Sequence, residues 1–229
     1  MPLRCLLFDM HKQIRKISLA DGETIEAGGL IIATGASHNH LGVPGETELA
    51  GRGVSYCATC DGPFFNDAHV AVVGGGDTAV QEAIFLTKFA KKVTLIHRRD
   101  QLRAIKLLQE EAFANPKIEF VWDTVVESIN GTDKVESLSL LNKKTGEKST
   151  ISVDGVFIFV GIHPNTQFLK GTVEMNQWGF IKTDEEMRTS APSIWAAGDC
   201  REKPLLQIVT AVADGAVAAH SAELSMGHG

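Results

Sequence analysis

A chain of 229 residues, 44% hydrophobic and 22% charged, has an ordinary globular make-up and room for two modest domains. Its formal net charge of −6 argues against a nucleic-acid partner, whose phosphates require a basic face. No apolar run reaches the roughly 18 residues of a membrane span, and the start, MPLRCLLFDMHK, does not read as a signal peptide, so a cytoplasmic location is expected.

The first element with a clear signature is Gly29-Leu-Ile-Ile-Ala-Thr-Gly35, a glycine, five mostly apolar residues and a second glycine, with Asn39 four residues later. His38 and His40, with no cysteine or acid adjoining them, read as surface residues. Next comes Cys57-Ala-Thr-Cys60-Asp61, in a segment rich in Gly and Phe. Two thiols three residues apart at a helix start can close a disulfide, and the helix dipole lowers the thiol pKa. One thiolate can attack a substrate disulfide and the other can resolve the mixed disulfide. Asp61 is the candidate general acid/base, a role that partial burial would favour. A zinc site would need two further ligands, and Cys5 and Cys200 stand isolated. A pair of buried structural cysteines is the plainer alternative.

The β-branched run His69–Val73 is followed at once by Gly74-Gly75-Gly76-Asp77-Thr78-Ala79. A helical pattern from about Thr78 to Ala90 and a second strand, Val93–His97, complete a βαβ unit. In Gly74-x-Gly76-x-x-Ala79 the first glycine permits a tight turn and the second admits a pyrophosphate. The small Ala79 lets helix and strand pack closely, and the phosphate sits on the helix N-terminal amides. A bare glycine-rich turn is the alternative, but strand, helix and second strand are all present.

An NAD site would place a carboxylate after that second strand to bond the ribose 2′-hydroxyl. Here the residues are His97-Arg98-Arg99, with Arg103 beyond. Guanidinium forks suit a 2′-phosphate, so NADPH is the expected nucleotide. His97 has two readings, packing on the adenine ribose or a satisfied strand-end histidine. From Lys117 to Gly161 successive strands are expected, with turns at Asn130-Gly131 and Thr145-Gly146 marking a small antiparallel insertion. The last of them, Gly155-Val-Phe-Ile-Phe-Val-Gly161 with Asn165 beyond, repeats the layout of Gly29–Gly35. Both look like the closing strand of a dinucleotide-binding domain. The second has its opening glycine loop at Gly74; residues 1–34 contain no such loop for the first.

The motifs CATCDGPFF, VAVVGGGDTAVQEA, TLIHRRDQLRA, WAAGD and LLQIVTA occur in the order and approximate spacing of low-molecular-weight bacterial thioredoxin reductases, and the chain resembles that family from about residue 20 onward. Glutathione-reductase-like enzymes place a wider-spaced pair in the flavin domain, and thioredoxin-reductase-like ferredoxin–NADP reductases lack it. The resemblance implies an α/β protein of two Rossmann-like dinucleotide-binding domains, each a three-layer ββα sandwich. The NADPH domain, residues 41–161, would be inserted in an FAD domain made of residues 1–40 and 162–229, truncated at its start. It further implies a homodimer carrying FAD and NADPH that passes electrons to thioredoxin. Cys60 would form the flavin adduct, Cys57 would attack the thioredoxin disulfide, and Asp61 would shuttle the proton. Arg98, Arg99 and Arg103 would hold the 2′-phosphate. Thr34 and Gly35 would lie near the FAD adenosine half, Gly198 and Asp199 near its ribityl and pyrophosphate portion, and Gln207 and Ile208 near the flavin ring. Leu206 departs from the Arg that many relatives carry. Two other functions fit the same motifs: a flavoprotein reductase for a peroxiredoxin, and an NADPH-binding module without turnover.

Overall fold

The computed structural model describes residues 6–8, 15–19 and 21–226. The chain divides into two compact units, Met1–Ser37 with Ile162–Gly229, and His38–Gly161.

The first unit begins with an antiparallel sheet of β1 (Leu6–Phe8), β2 (Arg15–Ser18) and β3 (Thr24–Ala27). β4 (Leu30–Ile32) and β5 (Ala36–His38) follow. β4 is the strand expected between Gly29 and Gly35.

The second unit is built on a five-stranded parallel sheet. Its elements in chain order are β6 (Val54–Ser55), α1 (Ala58–Asp61), β7 (His69–Gly74), α2 (Asp77–Leu86), β8 (Lys92–Ile96), α3 (Lys106–Ala114) and β9 (Ile118–Val121). β10 (Thr124–Asn130), β11 (Ser137–Asn142) and β12 (Lys148–Ser152) form an antiparallel sheet, and β13 (Gly155–Phe159) returns to the parallel one. The strand order β6-β13-β7-β8-β9 places the last strand of the unit between two of the earliest. β7 is buried along its middle because both of its faces are covered, which explains a continuous apolar run where an exposed sheet would alternate. Val70, Val72, Val93 and Leu95 pack with Val80, Ala83 and Leu86 of α2. Ala71, Val73, Ile96 and Ile158 face the other way, onto Val126, Leu138 and Leu140 of the antiparallel sheet. Helix layer, parallel sheet and antiparallel sheet make a ββα sandwich, the Rossmann-like form expected. Each fully buried valine or leucine contributes about 1.5–3 kcal/mol.

One local expectation is corrected, and the strands beyond it fall into two sheets. The helix after the glycine loop ends at Leu86, not Ala90, because the Thr87 hydroxyl bonds the Ile84 carbonyl (2.6 Å) and the chain tightens into turns. Of the strands between Lys117 and Gly161, only β10, β11 and β12 belong to the antiparallel insertion; β9 and β13 are parallel. Asn130-Gly131 marks the turn between β10 and β11, as expected. It opens a longer loop in which the Glu136 amide returns to the Asn130 carbonyl (2.8 Å). Thr145-Gly146 is a turn, with the Gly146 amide bonding the Asn142 carbonyl.

The first unit resumes with β14 (Ile162–Pro164), which pairs with β5. β15 (Ile194–Ala196) then pairs in parallel with β4, and α4 (Ile208–Met226) packs on β15. One side of this strand pair buries Ile32, Leu169, Ile181, Ile194 and Ala196. The other buries Trp195 with Ala218 and Ala222 of α4, and the Trp195 indole donates to the Ser221 hydroxyl (2.9 Å). Ile208, Val209 and Val212 lie exposed on α4. No helix among the described residues is long and apolar enough to cross a membrane.

Candidate functional site

Cys57 is the N-cap of α1, extended at φ −141°, and its sulfur accepts the Cys60 amide at 3.1 Å. The two cysteines are joined as a disulfide across 5.3 Å between Cα atoms, Cys57 half-buried and Cys60 exposed. The capping amide is a donor that also stabilises a thiolate at this position once the disulfide opens. Asp61 ends the same turn, its amide bonding the Cys57 carbonyl (3.1 Å). Its Oδ2 accepts the Ser55 hydroxyl at 2.6 Å, and Ser55 Oγ accepts the Cys57 amide at 3.1 Å. A single buried serine therefore ties both cysteine backbone and carboxylate together.

A second tether lies one residue away. The Tyr56 hydroxyl donates to Glu46 Oε1 (2.8 Å), and the Leu41 and Gly42 amides donate to the same buried carboxylate at 3.0 and 2.7 Å. Burial pushes the Glu46 pKa up, but hydrogen bonds from Tyr56, Leu41, Gly42 and His40 outweigh it and hold the carboxyl below its ordinary value. Burial and the Glu46 carboxylate push the Tyr56 phenol above its usual range. His38 stacks on the Tyr56 ring at 5.1 Å, and His40 Nδ1 lies 2.9 Å from the Tyr56 oxygen. These histidines are exposed, as surface residues should be, yet both belong to this cluster. No group of described residues could hold a metal ion.

The glycine loop lies between β7 and α2 in the same unit. A Cβ on Gly74 would meet both Ala79 Cβ and the Phe159 carbonyl oxygen at 2.5 Å, and Gly74 has φ +157°. A Cβ on Gly75 would fall 2.3 Å from the His97 ring. Beside the loop opens a cleft of about 340 Å³ lined by Gly74, Gly75, His97, Arg98, Arg103 and Asn39, among others. The loop that carries Arg103 is stitched to the glycines: the Arg103 amide bonds the Gly75 carbonyl, and the Ile105 amide bonds Asp77 Oδ1, both at 2.7 Å. Arg98, Arg99 and Arg103 are exposed, and none pairs with a carboxylate among the described residues. The nearby Asp100 and Asp123 are both taken by Lys144, each at 3.1 Å. His97 is buried, which holds its imidazole below the ordinary pKa against the backbone bonds to Gly74 and Gln101; Arg103 and Arg99 lower it further. Its Nε2 has no hydrogen-bond partner. Three uncompensated guanidinium groups, the open amides of the first turn of α2 and this orphaned nitrogen suit a phosphorylated nucleotide.

In the first unit, Thr34 Oγ1 is buried without a hydrogen-bond partner. Asp199 Oδ1 is likewise buried without a hydrogen bond, although Lys203 lies 3.3 Å away as an ion pair. Buried oxygens without a hydrogen bond fit the hydroxyl groups of a dinucleotide. Gly35 and Gly198 adopt φ +68° and +78°. The Gly198 amide is already occupied, by Asp214 Oδ2 at 3.1 Å. Asp214 also pairs with Lys203 (3.0 Å) and Arg201 (3.3 Å), so a largely buried ion network holds this turn. Gln207 is half-buried, and Ile208, the first residue of α4, is 84% exposed.

The structure thus gathers Cys57, Cys60 and Asp61 in one turn, and Gly74, Gly75, His97, Arg98 and Arg103 around one cleft. Gly76 caps α2, Asp77, Thr78 and Ala79 form its first turn, and Arg99 stands outside the cleft lining. The Asp77 carboxylate serves the loop instead of facing a ligand freely. Sequence reasoning missed Ser55, Tyr56, Glu46 and Lys144. Only the Ser55–Asp61 spacing lay close enough to a motif to have hinted at a contact.

The sequence matches the family described as pyridine nucleotide-disulphide oxidoreductase over residues 5–215. It is 50% identical over 221 residues to a thioredoxin reductase of Peptoclostridium litorale, covering 94% of this chain and 70% of that protein. The crystal structure of thioredoxin reductase from Streptococcus pyogenes MGAS5005 matches with a TM-score of 0.93 at 49% identity, over 99% of this chain and 73% of that one. Thioredoxin reductase from Giardia duodenalis matches with a TM-score of 0.91 at 37% identity, over 98% and 74%. A Cys57–Cys60 pair at disulfide distance, in a chain with these relatives, supports a redox-active disulfide oxidoreductase. The chain accordingly belongs to the pyridine nucleotide-disulphide oxidoreductases, among their thioredoxin reductases, and is an oxidoreductase.

Proposed function

We propose that this chain carries out NADPH-dependent reduction of a thioredoxin disulfide, through FAD and the Cys57–Cys60 pair. The observation that carries the reading is the redox disulfide capping α1 in the same unit as a glycine loop flanked by unpaired arginines. In this reading His38–Gly161 is the NADPH-binding domain and the other unit is the FAD-binding one. A thioredoxin-like protein is the electron acceptor and a homodimer the assembly. The amides at the start of α2 receive the pyrophosphate of NADPH, and Arg98, Arg99 and Arg103 bind its 2′-phosphate. The Thr34 hydroxyl and the Asp199 carboxylate, the latter paired with Lys203, face FAD, with Gly35, Gly198, Gln207 and Ile208 around it. FAD, when bound, relays the electron pair from nicotinamide to the disulfide.

That pair breaks the Cys57–Cys60 bond and leaves a dithiol once protons are taken up. Asp61 accepts a proton from the Cys57 thiol. The Cys57 thiolate attacks one sulfur of the acceptor disulfide, and the departing thiolate receives the proton from Asp61. Cys60 then attacks Cys57 in the mixed disulfide, restoring the internal disulfide and releasing the second thiol of the acceptor.

The test is the visible spectrum of the purified chain, with and without added FAD, followed by anaerobic NADPH and then oxidised thioredoxin. A flavin band that NADPH bleaches and thioredoxin restores is the expected result. A colourless protein that binds NADPH would confine the reading to the nucleotide half. Turnover with a peroxiredoxin in place of thioredoxin would replace the acceptor.

A further inference from the structure

Ser55 is only 5% exposed, so its hydroxyl must find its partners within the protein. Three polar atoms surround its oxygen: Asp61 Oδ2 at 2.6 Å, the Cys57 amide nitrogen at 3.1 Å and the Cys57 carbonyl oxygen at 3.3 Å. A hydroxyl has one hydrogen and two lone pairs. With Asp61 ionised, the hydrogen goes to Oδ2, the nearer acceptor, and a lone pair takes the Cys57 amide. A proton arriving on Oδ2 would set two donors against each other across 2.6 Å unless the serine hydrogen turned away. The Cys57 carbonyl is the acceptor in place to receive it, and Oγ then uses its second lone pair for the carboxylic acid. Each protonation state of Asp61 thus has a complete set of partners, reached by rotating one hydroxyl with no heavy atom moved.

We propose that Ser55 is a positioning residue that holds the Asp61 carboxyl in register with the redox pair in both protonation states, its hydroxyl rotating between Asp61 and the Cys57 carbonyl. The inference rests on the reading of Asp61 as the proton carrier of disulfide exchange. The step served is balanced within the site: the Cys57 thiol gives its proton to Asp61, a Cys57–substrate S–S bond forms as the substrate S–S bond breaks, and the departing thiolate takes that proton. The hydroxyl adds no proton of its own. Around this pair, β6 carries no titratable side chain and the turn Gly62–Phe65 carries none. α2, which packs on α1, contributes Asp77, already bonded to the Ile105 amide, and Glu82, whose pKa burial raises. On the other side, Tyr56 and Glu46 bond each other.

The experiment needs neither flavin nor nucleotide. The full chain is reduced with dithiothreitol and desalted, and its reaction with the neutral disulfide 4,4′-dithiodipyridine is followed from pH 5 to 9. Ser55→Ala, Ser55→Thr, Asp61→Asn and the double variant Ser55→Ala/Asp61→Asn are compared with the parent. Ser55→Ala should slow exchange about tenfold near neutral pH and give a pH profile approaching that of Asp61→Asn, while Ser55→Thr restores the parent profile. The double variant should fall no further than Asp61→Asn alone, because a residue acting through Asp61 has nothing left to position. Additive losses, or a parent-like profile for Ser55→Ala beside a slow Asp61→Asn, would overturn the role of Ser55 and leave Asp61 standing. A parent-like Asp61→Asn would instead remove the proton-carrier reading itself. Should Ser55→Ala not fold, Ser55→Thr decides alone: a rate as low as that of Asp61→Asn sinks the proposal, and the parent rate supports it.

Discussion

Gly75 and His97 show how tightly the nucleotide loop is fitted. The imidazole sits where a Cβ on Gly75 would have to go, 2.3 Å away, and it is buried, so it has little room to retreat. Gly75→Ala should destabilise the second unit by about 2 kcal/mol, read as a lower urea midpoint. Combining it with His97→Ala should recover part of that loss, since the two changes share one space. His97 also has a pH signature. Burial depresses its pKa in the fold, as it does for His69, whereas the unfolded chain titrates near the ordinary histidine value of about 6.5. The unfolded state therefore binds more protons below that value. Stability is complete above about pH 6.5 and declines as the pH falls toward the depressed folded value. Urea titrations at pH 7.5 and 5.5 should show the decline, and His97→Gln should flatten it. The arginines answer to affinity instead. Removing a guanidinium from a charge-assisted phosphate bond costs about 1.5–3 kcal/mol, so Arg98→Ala or Arg103→Ala should weaken NADPH binding roughly 10- to 100-fold. NADH binding, measured by the same calorimetric titration, should hardly change.

α4 is held to its unit partly by charge. Asp214 accepts the Gly198 amide and pairs with Lys203 and Arg201, and the Lys203 side chain is 5% exposed. Asp214→Ala would leave a buried ammonium with the Thr210 hydroxyl at 3.2 Å and, as its one carboxylate among the described residues, Asp199 at 3.3 Å. The expected cost is about 3 kcal/mol, monitored by fluorescence of Trp195, whose indole is bonded to Ser221 on the same helix. Elements of this kind were unevenly legible in the sequence. β7, α2 and β8 were plain, because strand, glycine loop and helix each impose their own periodicity on adjacent residues. The cysteine pair was plain as a disulfide, because a C-x-x-C spacing at a helix start lets the two sulfurs meet. The end of α2 was hidden, since it turns on a Thr87 hydroxyl competing for a backbone carbonyl. Partner choice was hidden for β9, which reads as a strand although nothing local says that it joins the parallel sheet. Ser55, Glu46 and Lys144 owe their roles to contacts made by folding, and Lys144 reaches Asp100 from 44 residues away.

Two compact units with separate cores should not melt as one. Calorimetry of the chain is expected to show two transitions, and NADP⁺ should raise only the one belonging to His38–Gly161. At a hundredfold excess over its dissociation constant, a ligand bound only by the folded form adds about 2.7 kcal/mol. A single transition that shifts as a whole would show the units to be coupled in unfolding.

The strand order also has a history in time. β13 is the last strand of its unit to be synthesised, yet it lies between β6 and β7 and hydrogen-bonds to both. A ribosome that has released β7, α2 and β8 has released a half-sheet whose interior edge is still open to solvent. That edge, apolar on both faces, stays a template for stray pairing until residue 159 clears the exit tunnel. The other unit waits longer still, because β4 takes β15 as its neighbour. The nascent chain therefore carries two unfinished sheets at once, and closes the inner one before the outer.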